Sequence, residues 1–181
     1  MIRTIGMVEF RGIASGIRAA DQMVKISDVE IETASSVCPG KYIVIVCGDV
    51  SAVEASVKKG EECAGDFLIR SVILPNAHED LFPAMKGKKR PEKIDALGVL
   101  EASSLAAMVR AADVVLKAAE LESIRLRLGD GIGGKAYFLF TGDVASVETG
   151  AEAGKDCLKR EGKLIDCAVI AAPSEKLKRR F

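Results

Sequence analysis

Tryptophan is absent from this 181-residue chain, aromatic residues make up 4% of it, and there is a single histidine, His78. With so few rings there is no stacking platform for single-stranded nucleic acid. The 26 basic residues balance 26 acidic ones, for a formal net charge of zero. That balance argues against charge-driven binding to nucleic acid or to an anionic membrane surface. No apolar run approaches the ~20 residues that a helix needs to span a bilayer. The start, Met1-Ile2-Arg3-Thr4, has no signal-peptide layout. Five cysteines are present but no Cys-x-x-Cys, so one chain offers neither a zinc ribbon nor a ferredoxin run. Without a secretory leader they read as thiols of a reducing cytosol, not as a disulfide framework. One histidine with no paired Ser, Asp or Cys motif offers no catalytic triad, and the chain is not read as an enzyme.

What is present is ordinary for a globular protein, 49% apolar and 29% charged residues, but it is arranged twice. Ile5-Gly6-Met7-Val8-Glu9 aligns with Leu97-Gly98-Val99-Leu100-Glu101, and Arg18-Ala19-Ala20-Asp21 with Arg110-Ala111-Ala112-Asp113, at an offset of 92. Further on, Gly48-Asp49-Val50 matches Gly142-Asp143-Val144 and Cys63 matches Cys157, at an offset of 94. Identical blocks in the same order mean two copies of one domain. We place them at residues 1–80 and 96–181, joined by a linker over 81–95. The linker region carries Pro83, Gly87 and Pro91, a helical turn around Glu79 to Met85, and a basic run of Lys86, Lys88, Lys89, Arg90 and Lys93. That run reads as solvated linker, as does the basic end Lys176, Lys178, Arg179 and Arg180.

Within each copy the periods alternate. A strand (Ile5 to Phe10; Leu97 to Ala102) precedes a helix with apolar positions Ile13, Ile17, Ala20 and Val24, or Leu105, Val109, Ala112 and Leu116. Spacings of four, three and four put each set on one helix face. A second strand follows (Val29 to Thr33; Ile124 to Leu128), then a loop and an apolar third strand (Tyr42 to Cys47; Ala136 to Thr141). Asp49 and Asp143 are natural N-caps for a second helix, with Val50, Val53 and Val57 as its inward face. A last strand ends at Pro75 or near Pro173. The order β-α-β-β-α-β is the split ferredoxin-like unit, an α+β fold with helices on one face of an antiparallel sheet.

The loop of the first copy, Ser35-Ser36-Val37-Cys38-Pro39-Gly40-Lys41, reads as a tight turn carrying a thiol. Its counterpart, Gly129-Asp130-Gly131-Ile132-Gly133-Gly134, matches the dinucleotide fingerprint G-x-G-x-x-G in form. That fingerprint must open a helix, and here a strand follows, so the match is discarded. Counting back from Lys41 and Lys135 sets Gly40 on Gly134, Pro39 on Gly133 and Cys38 on Ile132. The remaining cysteines, Cys47, Cys63, Cys157 and Cys167, fall in regular elements and read as small hydrophobes.

The tandem blocks, with Ala19-Ala20-Asp21-Gln22-Met23-Val24-Lys25 and Leu74-Pro75-Asn76-Ala77-His78, resemble the two-domain, trimer-forming class of bacterial microcompartment shell proteins. The Cys-Pro-Gly-Lys and Gly-Ile-Gly-Gly-Lys loops look most like its propanediol-utilisation T type. The resemblance implies a flat pseudohexamer of three chains, tiling with other shell proteins around enzymes in the bacterial cytoplasm. It also implies that Ser36, Val37, Pro39 and Gly40, with Gly131, Ile132, Gly133 and Gly134, line a central pore. Cys38 from each chain would bind an iron–sulfur cluster of the [4Fe-4S] kind there, one per trimer, with an encapsulated redox enzyme as a partner. Thiolates are the soft ligands such clusters need. Three cap one face of a cubane, leaving a fourth iron to water or another ligand, or a three-iron cluster. Lys25 and Lys117 would lie at the tile edge with Asn76 and His78, while the second copy ends Ala172-Pro173-Ser174-Glu175 instead. Three functions stay open: a tile whose cluster relays electrons or moves clusters across the shell, a tile with a thiol-lined metabolite pore, and a soluble ligand-binding regulatory module.

Overall fold

Strand-forming residues in the first copy build β1 (Thr4–Phe10), β2 (Glu30–Val37), β3 (Lys41–Gly48) and β4 (Leu68–Leu74), with helices α1 (Ile13–Ile26) and α2 (Val50–Ala64) between them. The computed structural model describes residues 4–87 and 91–181; Met1 to Arg3 and the basic linker residues Lys88, Lys89 and Arg90 lie outside the described residues. The four strands form one antiparallel sheet in the order β2-β3-β1-β4. β3 is buried along its whole apolar run from Tyr42 to Cys47, so both sets of alternating side chains leave water. That explains why it reads as continuous and not as alternating. A 3-10 turn, Gly65–Phe67, links α2 to β4.

The core of this unit packs Val8 and Phe10 of β1 and Val44 and Val46 of β3 against Ala19, Ala20 and Met23 of α1 and Val53 and Val57 of α2. Gly6 lets α2 approach the sheet: a Cβ there would meet Val57 and Val53 at 2.5 and 2.7 Å.

The second copy repeats the plan with β5 (Ala96–Ala102), α4 (Leu105–Ala118), β6 (Glu122–Leu128), β7 (Ala136–Gly142), α5 (Val144–Arg160) and β8 (Leu164–Ile170), in the order β6-β7-β5-β8. The split ferredoxin-like α+β fold expected from the periods is present twice. The short helix α3 (Leu81–Met85) packs on β6, with Leu81 and Ala84 buried. A last short helix, α6 (Glu175–Lys178), closes the chain. Asp143 caps α5 by accepting the Ser146 N–H at 2.7 Å, whereas Asp49 stands at the N-cap of α2 with no such side-chain bond. The Asp143 carboxyl is held below the usual range, first by the Ser146 backbone N–H.

Two expectations need correction. The apolar stripe of α1 does not all face the core: Ile13, Ile17 and Val24 are 42%, 54% and 37% exposed, and the buried face is Ser15, Gly16, Ala19, Ala20 and Met23. Small residues there let the helix sit close to the sheet, and period alone cannot rank a small stripe above a large one. The equivalent stripe of α4, Leu105, Val109, Ala112 and Leu116, is buried. On α2, Val53 and Val57 face inward as expected, but Val50 is exposed at the first turn.

The chain divides into two compact units. One runs to Ala77 and includes Gly129–Gly134; the other is His78–Leu128 with Lys135–Phe181.

Candidate functional site

The thiol-bearing turn is shorter than its composition suggests. Ser35, Ser36 and Val37 belong to β2 and pair with Ile43, Tyr42 and Lys41. Only Cys38, Pro39 and Gly40 lie between the strands. Strand pairing satisfies the backbone of both serines, which outweighs their turn preference. The Gly40 N–H donates to the Val37 carbonyl at 3.0 Å and closes the turn, with Gly40 at φ 91° and a cis Cys38–Pro39 peptide. Val37 is buried below; Ser36, Pro39 and Gly40 are exposed, and Cys38 is half-buried with a free thiol.

Lys41, immediately after the turn, is fixed from below. Its Nζ donates to Glu9 Oε1 at 2.8 Å, and the Glu9 side chain is fully buried. The second carboxylate oxygen of Glu9 is buried without a hydrogen-bond partner. The repeat copies this pair as Lys135 and Glu101 at 2.9 Å, but there both side chains are partly exposed.

The counterpart loop, Gly129–Gly134, groups with the first unit. Gly129, Gly131, Gly133 and Gly134 all have positive φ, between 66° and 77°, which is why the segment is glycine-rich. Gly134 is buried against the thiol turn: a Cβ on it would fall 2.7 Å from Pro39 Cδ and 2.8 Å from the Cys38 carbonyl oxygen. Gly131 and Gly133 are exposed and Ile132 half-buried. The structure therefore sets the end of the second loop directly against Cys38 and Pro39.

The residues expected at the edge fall into two groups. Lys25, in the last turn of α1, donates to Asp21 at 2.7 Å, and both are exposed. That contact holds the Asp21 carboxyl below the usual range. Asn76 follows β4 with φ 52°, a left-handed conformation that asparagine tolerates. In the second unit Lys117 donates to Asp113 at 2.6 Å, and the His78 backbone N–H donates to the same carboxylate at 2.8 Å. The His78 ring accepts the Asp80 N–H through Nδ1 at 3.2 Å, so the histidine is tied into its own turn.

Two features escaped the sequence. One is the buried Glu9–Lys41 pair, visible only once strand register sets Glu9 beside Ile43. The other involves Cys47, which is buried as expected but not simply apolar in its surroundings. Its Sγ lies 3.6 Å from Glu32 Oε1 and 3.9 Å from Glu30 Oε2. These three ligand atoms lie within 4.8 Å of one another. The alternating Glu30 and Glu32 signalled one strand face, but not what stood opposite. Cys63, Cys157 and Cys167 are half-buried, and burial pushes the Cys167 thiol up.

The BMC domain family matches this chain twice, over residues 4–77 and 96–173. The chain is 36% identical over 181 residues to the bacterial microcompartment shell protein PduT of Citrobacter freundii, covering 100% of this chain and 98% of that one. It is 40% identical over 81 residues to the carboxysome shell protein CcmK2 of Synechocystis, which spans 42% of this chain. The crystal structure of a microcompartment protein from Desulfitobacterium hafniense superposes with a TM-score of 0.91 at 42% identity, over 99% of both chains. Twofold repetition of one fold, the paired loops and these likenesses along the whole length agree: the chain belongs to the bacterial microcompartment shell proteins, with the BMC domain in two tandem copies.

Proposed function

We propose that this shell protein is a pseudohexameric homotrimer whose central turn, contributed by three chains, binds one iron–sulfur cluster through Cys38. The observation that carries this is the placement of Cys38: a half-buried free thiol at the first position of a three-residue turn, next to a glycine loop that leaves no side chain over its carbonyl. A soft donor held by a short turn suits such a cluster. Each chain supplies one thiol in this turn, so three chains are needed for three ligands. Trimer formation is supported by the bare stripe Ile13, Ile17 and Val24, whose counterparts in the second copy are buried. A closed ring of three chains would cover it, and closed cyclic symmetry is the common state of soluble oligomers. Bound there, the cluster would supply one-electron chemistry or be handed on across the shell. Other shell proteins and an encapsulated redox enzyme are the partners this role needs. The protein itself acts as a structural tile with no catalytic step.

Iron and sulfide analysis with an absorption spectrum, on anaerobically purified protein, tests this reading. Cys38→Ala is expected to abolish the cluster and leave a trimeric mass by light scattering. Iron retained in that variant refutes the cluster; a monomeric mass of the parent protein refutes the ring.

A further inference from the structure

The second unit holds a cavity of about 510 Å³ between α4 and α5 and one of about 580 Å³ beside the C-terminal segment. The latter has the stronger chemistry. Arg125 of β6 and Arg179 and Arg180 after α6 line it, with Lys93 and Lys178. Pro91, Ile94 and Phe181 supply an apolar wall, and Glu92 and Glu175 complete the lining. Ile94, Leu177 and Phe181 also pack against the buried Leu97, Ile124 and Leu139 of the second sheet, so this wall is anchored to a core.

The charges here do not cancel locally. Lys93 is taken by Asp95 at 2.7 Å and Lys178 by Glu175 at 2.8 Å. Among the described residues Arg125, Arg179 and Arg180 have no ion-pair partner. Positive surroundings also show in Glu175, whose carboxyl is held below the usual range first by Lys178, with Arg179 contributing. An arginine presents a rigid fork of donors that matches the oxygens of a phosphate group, and it stays charged at any working pH. Cavities of about 300–1,000 Å³ suit small ligands, and an apolar wall beside a few polar groups is the usual lining.

We propose that this cavity binds a small phosphate-bearing organic anion, with the phosphates on Arg125, Arg179 and Arg180 and the apolar part on Ile94 and Phe181. Its lining residues all belong to the second unit and include none of the Cys38 turn, so the proposal does not depend on the cluster. It would let the shell tile hold or sense a phosphorylated metabolite or nucleotide.

Calorimetric titration of the full chain with pyrophosphate, and then with ADP, tests this. Saturable binding of both is expected, tighter for ADP because its ring gains the apolar wall. Arg125→Gln and Arg180→Gln should each weaken both ligands at least tenfold, with the circular dichroism spectrum unchanged. Lys159→Gln, an exposed charge elsewhere on the same unit, should change neither. Absence of saturable binding overturns the proposal, as does equal weakening by Lys159→Gln, which marks diffuse surface charge. ADP binding no tighter than pyrophosphate overturns the assignment of the apolar wall.

Discussion

Replacing Gly134 by alanine should damage the thiol turn more than the same change at Gly131, although both lie in one loop at nearly the same φ, 77° and 71°. An L-residue in the left-handed region costs about 1–2 kcal/mol relative to glycine, so strain is common to both sites. The surroundings differ. No heavy atom lies within 4 Å of a Cβ on Gly131, while a Cβ on Gly134 would be 2.8 Å from the Cys38 carbonyl oxygen and 2.7 Å from Pro39 Cδ. Backbone and a proline ring cannot rotate aside, so the turn itself must shift. Overpacking of this kind costs about 1–3 kcal/mol. The expected losses are therefore about 1–2 kcal/mol for Gly131→Ala and about 2–5 kcal/mol for Gly134→Ala. For a chain of this size 1 kcal/mol moves Tm by about 2–4 °C, so the two variants should differ by several degrees. Scanning calorimetry at one fixed protomer concentration measures this, because an oligomer's apparent stability depends on concentration. If Cys38 holds the proposed cluster, the Gly134 variant should also lose iron, since the displaced backbone carries Cys38. Equal Tm values for the two variants would refute the claim that Gly134 is demanded by contact with the turn.

Other outcomes follow from the same geometry. Lys41→Met strands the buried Glu9 carboxylate and should cost about 3–5 kcal/mol, whereas Lys135→Met breaks an exposed pair and should cost at most about 1 kcal/mol, by denaturant titration. Lys25→Ala with Lys117→Ala should impair growth of sheets seen by electron microscopy while the trimer stays folded; unchanged sheets would refute the edge role. Asp143 contributes stability that is fully present above its unfolded-state pKa and is lost as pH falls through its lower folded value. Asp143→Asn should therefore flatten the acid limb of a Tm against pH curve below about pH 4.

The repeat, the order of elements and the strand cores were legible because each depends on local period and on blocks of identical sequence. Tyr42 to Cys47 announced an apolar strand, and the structure has one there, buried along that run. The thiol turn was legible as a place but not in extent. Ser35 and Ser36 have turn chemistry in isolation, yet pairing with Ile43 and Tyr42 draws them into β2. Cys47 was legible as buried, but its two carboxylate neighbours were not. Glu30 stands opposite it only through a register that includes an irregularity between Ile31 and Thr33, and such a shift leaves no mark in composition.

The two helix stripes show where sequence stops and assembly begins. Ile13, Ile17 and Val24 are as apolar as Leu105, Val109 and Leu116, and both sets have the same spacing. One set is bare and the other buried. At 42%, 54% and 37% exposure, these three aliphatic side chains forgo roughly half of the about 1.5–3 kcal/mol that full burial of each would bring. A soluble chain rarely keeps such a run uncovered without a partner for it. Period reports only that a face is apolar, and the choice of what covers it is made by packing. If that cover is a neighbouring chain, Ile17→Glu should shift the light-scattering mass from trimer to monomer while leaving the fold intact, because Ile17 is 54% exposed in the single chain and needs no local repacking. A trimeric mass in that variant would mean that the stripe is not where the chains meet.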